Sequence, residues 1–229
     1  MNRSIITTAV LALNLNLSVH AQDFGLSFSY FLPRDGYFSV PVSPFSVRGL
    51  GFRLFSDLSL ESGFSLYRMS GMNVRDLPFS SREPLIGPFF SLFVPVELVW
   101  SFDFGNPVLR IKGGGFGFYN FATKINYGNL DRALADHLGL SLANSEFDIR
   151  NLPGFGYRFG PELVFQITRN FGLTFEAYYL RGSAPLDMRG SVLGLPAGAT
   201  AVQVVDLEYP EARLDFSGLE LSVGVLLTP

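Results

Sequence analysis

The feature that most constrains this chain is the stretch 89–104, in which every second residue is apolar. Side chains alternate across a strand, so this period predicts a β-strand between an apolar and a polar medium. The stretch is far longer than an average strand of about five or six residues. It exceeds even the roughly 9–11 residues that cross a bilayer as a tilted strand. The wholly apolar register, which would face lipid, is Phe90, Leu92, Val94, Val96, Leu98, Trp100, Phe102 and Phe104.

The same alternation recurs along the chain often enough to close a barrel. The predicted strands cover 24–32, 49–54, 58–67, 89–104, 108–121, 155–167, 171–179 and 219–227. Short turns near 56–57, 105–107 and 168–170 alternate with long loops at 33–44, 69–88, 122–153 and 181–212. Short turns on one side and long loops on the other are typical of bacterial outer-membrane barrels, whose strand number is even. We therefore predict an all-β fold, an eight-stranded antiparallel transmembrane β-barrel with four long outer loops and three short periplasmic turns.

Three local irregularities accompany this prediction. Phe116 and Phe118 lie in the opposite register to Leu109 and Ile111, which indicates a bulge or a strongly coiled strand. Pro95 removes a ladder donor in mid-strand, so we expect a local bulge there as well. Within the loop 122–153, the segment 129–139 predicts a short helix that begins at an Asn and ends at a Gly.

The N-terminus has the pattern of a secretory signal peptide. A basic Arg3 is followed by an apolar run and then by small residues before Gln22. We predict a cleaved signal peptide over 1–21, which leaves 22–229 as the barrel domain.

Composition narrows the class further. The chain has no Cys, which excludes a disulfide framework and a thiolate metal site. Charged residues are only 16%, while Phe and Gly number 24 each. High apolar content without a long continuous apolar segment is expected when apolarity is dispersed at alternate positions. The net charge of −3 argues against nucleic acid as a partner, because nucleic acid calls for a basic face.

Taken together, the chain resembles the small eight-stranded outer-membrane barrels, the superfamily of the OmpA transmembrane domain, OmpX and OmpW. The resemblance covers nearly all of the mature chain, and phrases such as PELVFQITRNFGLTFEAYYLRG and LDFSGLELSVGVLLTP look like the last hairpin of such proteins. It implies the outer membrane of a diderm bacterium, insertion by the barrel-assembly machinery, and contact with membrane lipid and lipopolysaccharide-type lipids. It also implies a monomer.

The register opposite the apolar one carries charges of both signs. A Lys or Arg that faced lipid at the midplane would cost about 2–4 kcal/mol, so these charges should face the lumen. Because eight strands leave an interior just wide enough for side chains, we expect a polar plug, with an ion-conducting lumen as the alternative. The predicted lumen cluster is Arg53, Glu61, Glu97, Arg110, Lys112, Arg158, Glu162, Glu176 and Glu220, with Asp103 in the same register. Trp100, Phe102 and Phe104 are the predicted aromatic girdle at the periplasmic interface.

No catalytic, cofactor or metal site is predicted. A lipid A deacylase on a barrel of this size needs a His, a Ser and a Glu arranged on a strand. The two His residues are His20, in the predicted signal peptide, and His137, in the predicted loop helix. One mature His without Cys argues against metal binding, and the glycine run 113–117 lacks the Lys and helix of a phosphate loop.

Two main functions remain open at this stage. The first is a structural or interaction barrel with a plugged or narrow polar lumen, whose long outer loops meet an extracellular partner. The second resembles OmpW, with small apolar molecules that bind at the loop end and leave laterally into the membrane. A lipid-modifying enzyme and a soluble lipocalin-like carrier are further alternatives. The carrier would place its apolar register inward.

Overall fold

The computed structural model of the chain describes residues 24–40 and 46–227, the side chains of 37–40 excepted. The predicted signal peptide and its cleavage site lie outside these residues. In chain order the elements are β1 (Phe24–Pro33), β2 (Gly36–Val40), β3 (Ser46–Arg53), β4 (Leu58–Met72), β5 (Val74–Arg75), β6 (Phe89–Asp103), β7 (Val108–Phe121), α1 (Tyr127–Leu138), β8 (Leu140–Asn151), β9 (Gly154–Thr168), β10 (Phe171–Pro196), β11 (Gln203–Tyr209), β12 (Arg213–Asp215) and β13 (Gly218–Leu227).

Eight of the strands close into an antiparallel ring. The order of hydrogen-bonded neighbours is β1, β3, β4, β6, β7, β9, β10 and β13, and β13 pairs again with β1. The closing pair runs from Phe24 opposite Leu227 to Pro33 opposite Gly218. The short connections 54–57, 104–107 and 169–170 lie at the same end of the ring as Phe24 and Leu227. The predicted barrel, with its eight strands and three short turns, is confirmed.

The two faces of the barrel wall differ sharply in chemistry. Along β6, Phe93, Pro95 and Glu97 are buried while their neighbours are exposed. The exposed large apolar side chains of the wall include Phe28, Leu92, Val96, Leu98, Trp100, Ile111, Phe159, Phe175, Leu221 and Val223. The apolar register therefore faces outward and the polar one inward, which is the reverse of a soluble carrier.

Neither of the two expected bulges is present, and the irregularities of the ring lie elsewhere. The ladder of β7 keeps a single register with both β6 and β9, so Phe116 and Phe118 point inward with Arg110. β6 also keeps its register through Pro95, where Ser62 Oγ donates to the Pro95 carbonyl at 2.7 Å. Register shifts in the ring occur instead in β3, between Val47 and Leu50, and between β10 and β9 at Phe171 and Gly172. Gly49 lies inside the shift of β3 with φ of +76°, a conformation that suits glycine.

The predicted loops 122–153 and 181–212 are largely regular structure, so their assignment as loops is wrong. β10 continues past the barrel and becomes the central strand of a second antiparallel sheet, with β8 on one edge and β11 on the other. Pro185, inside the predicted loop 181–212, lies where β10 changes partner from β9 to β8, between Ser183 and Leu186. A residue without an N–H is tolerated at that junction because neither partner strand needs its donor. We call β8, β11, α1 and residues 186–196 the outer lobe.

The helix of the outer lobe begins earlier than the sequence indicated. The N-cap position of α1 is Asn126, and the helix ends at Gly139, whose φ of 65° is left-handed. Asn129, the predicted cap, lies inside the helix, where its Nδ2 donates to the Pro84 carbonyl at 2.8 Å. Leu130 and Leu134 of α1 are fully buried in the core that the lobe shares with the upper barrel. Within the described part of the chain, no helix has the length and apolarity needed to span a membrane.

Candidate functional site

Among the described residues, a network of nine charged side chains, each less than 10% exposed, fills the barrel interior. They come from seven strands of the ring, because inward positions recur every second residue on each strand. The members of this lumen network are Arg48, Glu61, Glu97, Arg110, Lys112, Arg158, Glu162, Glu176 and Glu220. Four cations thus face five carboxylates.

Arg158 forms the most complete ion pair of the network. Its Nε and Nη2 donate to the two oxygens of Glu97 at 2.8 and 2.6 Å, and its Nη1 donates to Glu220 Oε2 at 3.3 Å. This fork geometry is the strongest form of an Arg–carboxylate pair. Gly114 lies directly between Glu97 and Arg158 in the ladder. The ion pair spans β7 at a position where no side chain stands in its path.

A second part of the network is centred on Lys112. Its Nζ lies 2.7 Å from Glu162 Oε2 and 3.3 Å from Glu176 Oε1. Arg110 bonds to Glu61 and reaches Glu162 Oε2 at 2.9 Å. These contacts connect β4, β7, β9 and β10 across the barrel.

Arg48 joins the two parts. Its Nη2 donates to Glu220 Oε1 at 2.5 Å, and its Nε lies 3.6 Å from Glu176 Oε2. Ser222 Oγ also donates to Glu220 Oε1 at 3.2 Å and contacts Ser29 Oγ at 2.6 Å. The network is therefore continuous from Glu61 to Glu97, and every cation in it has at least two carboxylate partners.

A layer of aromatic rings fills the interior between this network and the outer lobe. Phe216 stacks on Phe31 with ring centroids 4.6 Å apart and contacts Phe118 at 4.6 Å. Phe93 packs on Phe116 at 4.3 Å. The rings of this aromatic layer are Phe31, Tyr67, Phe93, Phe116, Phe118 and Phe216, none more than 4% exposed.

The aromatic layer and the lumen network meet at Arg158. Its guanidinium lies 4.2 Å from the centroid of Tyr178 and 5.3 Å from that of Phe93. Rings over a desolvated guanidinium add a cation–π attraction. At the other end of the network, a cavity of about 220 Å³ opens near the short turns and ends at Glu61 and Arg110. The interior thus contains two successive layers of different chemistry.

The outer lobe carries a large groove of about 850 Å³ between α1 and the loop 78–83. Arg132 bridges the two walls, with its Nη2 2.5 Å from Glu83 Oε2 and 2.5 Å from Asn129 Oδ1. His137 lies on this groove with its ring 5.5 Å from that of Phe79. Among the described residues, no group of three or more His, Asp or Glu is placed to hold a metal ion.

Comparison with solved structures supports this architecture. The chain is similar to the outer membrane protein OprG from Pseudomonas aeruginosa, with a TM-score of 0.51 and 11% identity over 90% of this chain and 95% of that one. The fold is that of a small outer-membrane β-barrel. Lower scores come from the E. coli outer membrane protein W (0.37, 12% identity, covering 91% and 98%) and a major outer membrane protein of Thermus thermophilus (0.38, 9%, covering 91% and 99%). No protein-family model and no curated protein matches the chain.

Most of the residues that the sequence assigned to the lumen of this outer-membrane barrel fold meet there, but two assignments are wrong. Arg53 is exposed at the short-turn end and lines the small cavity there. Asp103 is also exposed, and its Oδ1 accepts from the Gly105 N–H at 2.8 Å, which caps the turn. Each is the last residue of its strand, beyond the closed part of the barrel.

Sequence reasoning missed Arg48 and the aromatic layer. From the sequence, the inward face of this strand was assigned on Arg53, an odd-numbered position. Arg48 precedes the bulge at Gly49, so on its side of the bulge the even-numbered positions face inward. An Arg beside a Gly-x-Gly run was the available signal. Of the predicted girdle, Trp100 and Phe104 are 57% and 75% exposed, and Trp100 stacks on Phe102 at 5.5 Å.

The position of Gly114 gives a matched test of the lumen network. A Cβ at Gly114 would lie 2.0 Å from the Val96 carbonyl oxygen, whereas one at Gly113 finds nothing closer than 3.6 Å. We expect Gly114→Ala to lower the free energy of unfolding by about 1–3 kcal/mol through overpacking. Gly113→Ala should change it by no more than about 0.5 kcal/mol. Urea unfolding in lipid vesicles measures both, and equal effects at the two positions would contradict the geometry.

Proposed function

We propose that the protein is a monomeric outer-membrane barrel with a plugged lumen that acts through its outer lobe as an interaction protein. This proposal is supported by the barrel interior, where the described residues place first the paired lumen network and then the aromatic layer. Because the outer lobe is folded around Leu130, Phe147, Met188 and Val192, it presents a preformed surface to a partner.

The remaining features of the chain fit this role. The apolar outer wall needs lipid, and its charges are turned inward, as a bilayer requires. Export by the predicted signal peptide 1–21 would deliver the chain to the barrel-assembly machinery. The outer wall would then contact membrane lipid and lipopolysaccharide-type lipids, and the outer lobe would face an extracellular partner. Neither an enzymatic activity nor a cofactor belongs to this proposal.

Conductance across a planar bilayer tests the plugged lumen. The purified protein should give no stable current steps, because an ion would have to part buried ion pairs and then pass the aromatic layer. Insertion is verified separately by a heat-dependent shift in gel mobility. Reproducible conductance from correctly folded protein would overturn the proposal.

The passage of small apolar molecules is a second candidate, supported by one feature of the wall. A depression of about 410 Å³ lies on the lipid-facing side at Leu109, Pro161, Leu163 and Ala177. The β9–β10 ladder is interrupted beside it, since the pairing passes from Glu162–Glu176 to Phe159–Tyr179. Uptake of an apolar solute into vesicles by a barrel that gives no ion current would favour this candidate.

A further inference from the structure

The two edge strands of the outer-lobe sheet, β8 and β11, differ in whether their outer backbone groups are hydrogen-bonded. At β8, side chains of α1 form hydrogen bonds with the backbone groups of the edge that does not pair with β10. The Ser145 N–H donates to Asp131 Oδ1 at 2.8 Å, and the Tyr127 hydroxyl donates to the Phe147 carbonyl at 3.2 Å. The helix therefore covers the edge that another strand would otherwise use.

At β11 the outer edge is open. The strand pairs with β10 from Tyr209 opposite Met188 to Gln203 opposite Gly194, without a register shift. Within the described chain, the backbone groups of residues 203–208 bond only to β10. The strand has no Lys, no Pro and no bulge, which are the usual protections of an edge. Its charged side chains are the acidic Asp206 and Glu208, so it offers a regular template for one more strand of opposite charge.

The charge at this edge has one sign. Asp206 and Glu208 project from the outer face of β11, and the segment 197–212 contains no Lys or Arg. Across the sheet, Asp206 is aligned with Ser191 and Glu146. Arg189, which lies opposite Glu208, is held by Asp187 at 3.0 Å. Arg189 also attracts Glu208, but this one cation stands against three carboxylates, Asp187, Asp206 and Glu208, so the edge keeps a net negative charge.

The other register of β11 is apolar. Val205 and Leu207 lie on the face that carries the buried Tyr209, and Val205 is 37% exposed. A strand added beside β11 would place alternate side chains next to these residues and the others next to Asp206 and Glu208. The pattern complementary to this edge alternates apolar and cationic residues.

We propose that the open edge of β11 is a docking edge for an extended cationic segment of another protein, which adds to the outer-lobe sheet as a further strand. This deepens the proposed function, on which it rests, by naming the site and the class of partner. A second copy of this chain is the poorer occupant, because it would bring one acidic strand against another.

The test uses the full barrel in a non-ionic detergent and two labelled peptides of alternating sequence, KVKVKVK and EVEVEVE, followed by fluorescence polarisation. The lysine peptide should bind and the glutamate peptide should not. The double variant Asp206→Lys/Glu208→Lys should weaken binding at least about tenfold, since it replaces attraction by repulsion at the edge. The matched variant Glu146→Lys/Asp148→Lys, on the covered strand β8, should weaken it by less than about threefold at physiological salt.

A third peptide separates strand addition from simple charge attraction. KVKVKVK with N-methyl groups on alternate residues keeps its charge but loses one hydrogen-bonding edge, so its binding should fall at least about tenfold. Equal binding of the methylated peptide, or binding of the glutamate peptide, would overturn the docking edge. So would a stable dimer of the barrel that the lysine peptide does not dissociate.

The proposal and the function on which it rests fail in different ways. A barrel that conducts overturns the plugged interaction protein, whatever the peptides do. A silent barrel that binds no lysine peptide overturns only the docking edge at β11.

Discussion

Arg158→Met is expected to lower the free energy of unfolding by about 3–5 kcal/mol, the usual cost when one partner of a buried ion pair is removed. The side chain is fully buried and holds both oxygens of Glu97 as well as one of Glu220. Without it, two carboxylates remain in a desolvated interior: Glu97 loses its bidentate partner, whereas Glu220 keeps Arg48. Urea unfolding in vesicles, followed by the fluorescence of Trp100, the only tryptophan, measures the loss.

Two further variants define the cause of that loss. Arg53→Met, at the exposed position in the same charged register, should cost no more than about 0.5 kcal/mol. Arg158→Met combined with Glu97→Gln should be more stable than Arg158→Met alone, because the uncompensated charge is removed. If Arg158→Met were no worse than Arg53→Met, the lumen network would not be a stabilising plug.

Phe216→Ala is expected to cost about 3–5 kcal/mol, the range for removing a large buried ring from a core that cannot collapse around the gap. Phe216 lies between β12 and β13, and its N–H donates to the Gly182 carbonyl at 2.9 Å. From this position the ring reaches Phe31, Phe118, Phe93 and Tyr67, with centroids 4.6–6.3 Å away. The same vesicle unfolding experiment applies.

Two control variants accompany Phe216→Ala: one removes a phenylalanine at an exposed position, and the other retains most of the side-chain volume at position 216. Phe155→Ala removes a ring that is 72% exposed on the wall and should cost much less than Phe216→Ala. Phe216→Leu retains most of the volume and should cost less than the alanine variant as well. A loss at Phe155 as large as that at Phe216 would show that the aromatic layer is not a packed core.

Several features of the fold were predictable because they depend on single strands. The alternation in 89–104 identifies a lipid-facing register without knowledge of any neighbour, and the same holds for Arg110, Lys112, Glu162 and Glu176. The short turns near 105–107 and 168–170 follow from local Gly, Asn and Pro chemistry, and the one near 56–57 from a Ser-Asp pair between two alternating segments. Each of these signals lies within about ten consecutive residues, so no tertiary contact is needed to read it.

Other features could not be predicted from the sequence, because both registers of a strand are apolar or because a strand changes its pairing partner. Phe116 and Phe118 point inward although they are as apolar as the lipid-facing residues, and only the ladder with β6 and β9 decides this. β10 continues through Pro185 because a new partner begins at Leu186. The direction of Arg48 depends on a bulge at Gly49 that only the pairing with β4 reveals.

The sequence by itself determined the strand number, the side of each wall that meets lipid, and the kind of charge that turns inward, because alternation is set by the medium on each face of a strand. The tertiary structure decided which charges pair, since Glu97 and Arg158 stand two strands apart and meet only over Gly114. It also decided that aromatic rings pack inside the upper barrel and that β11 has no partner at its outer edge among the described residues. These depend on which strands become neighbours and in what register, and alternation along one strand carries no information about either.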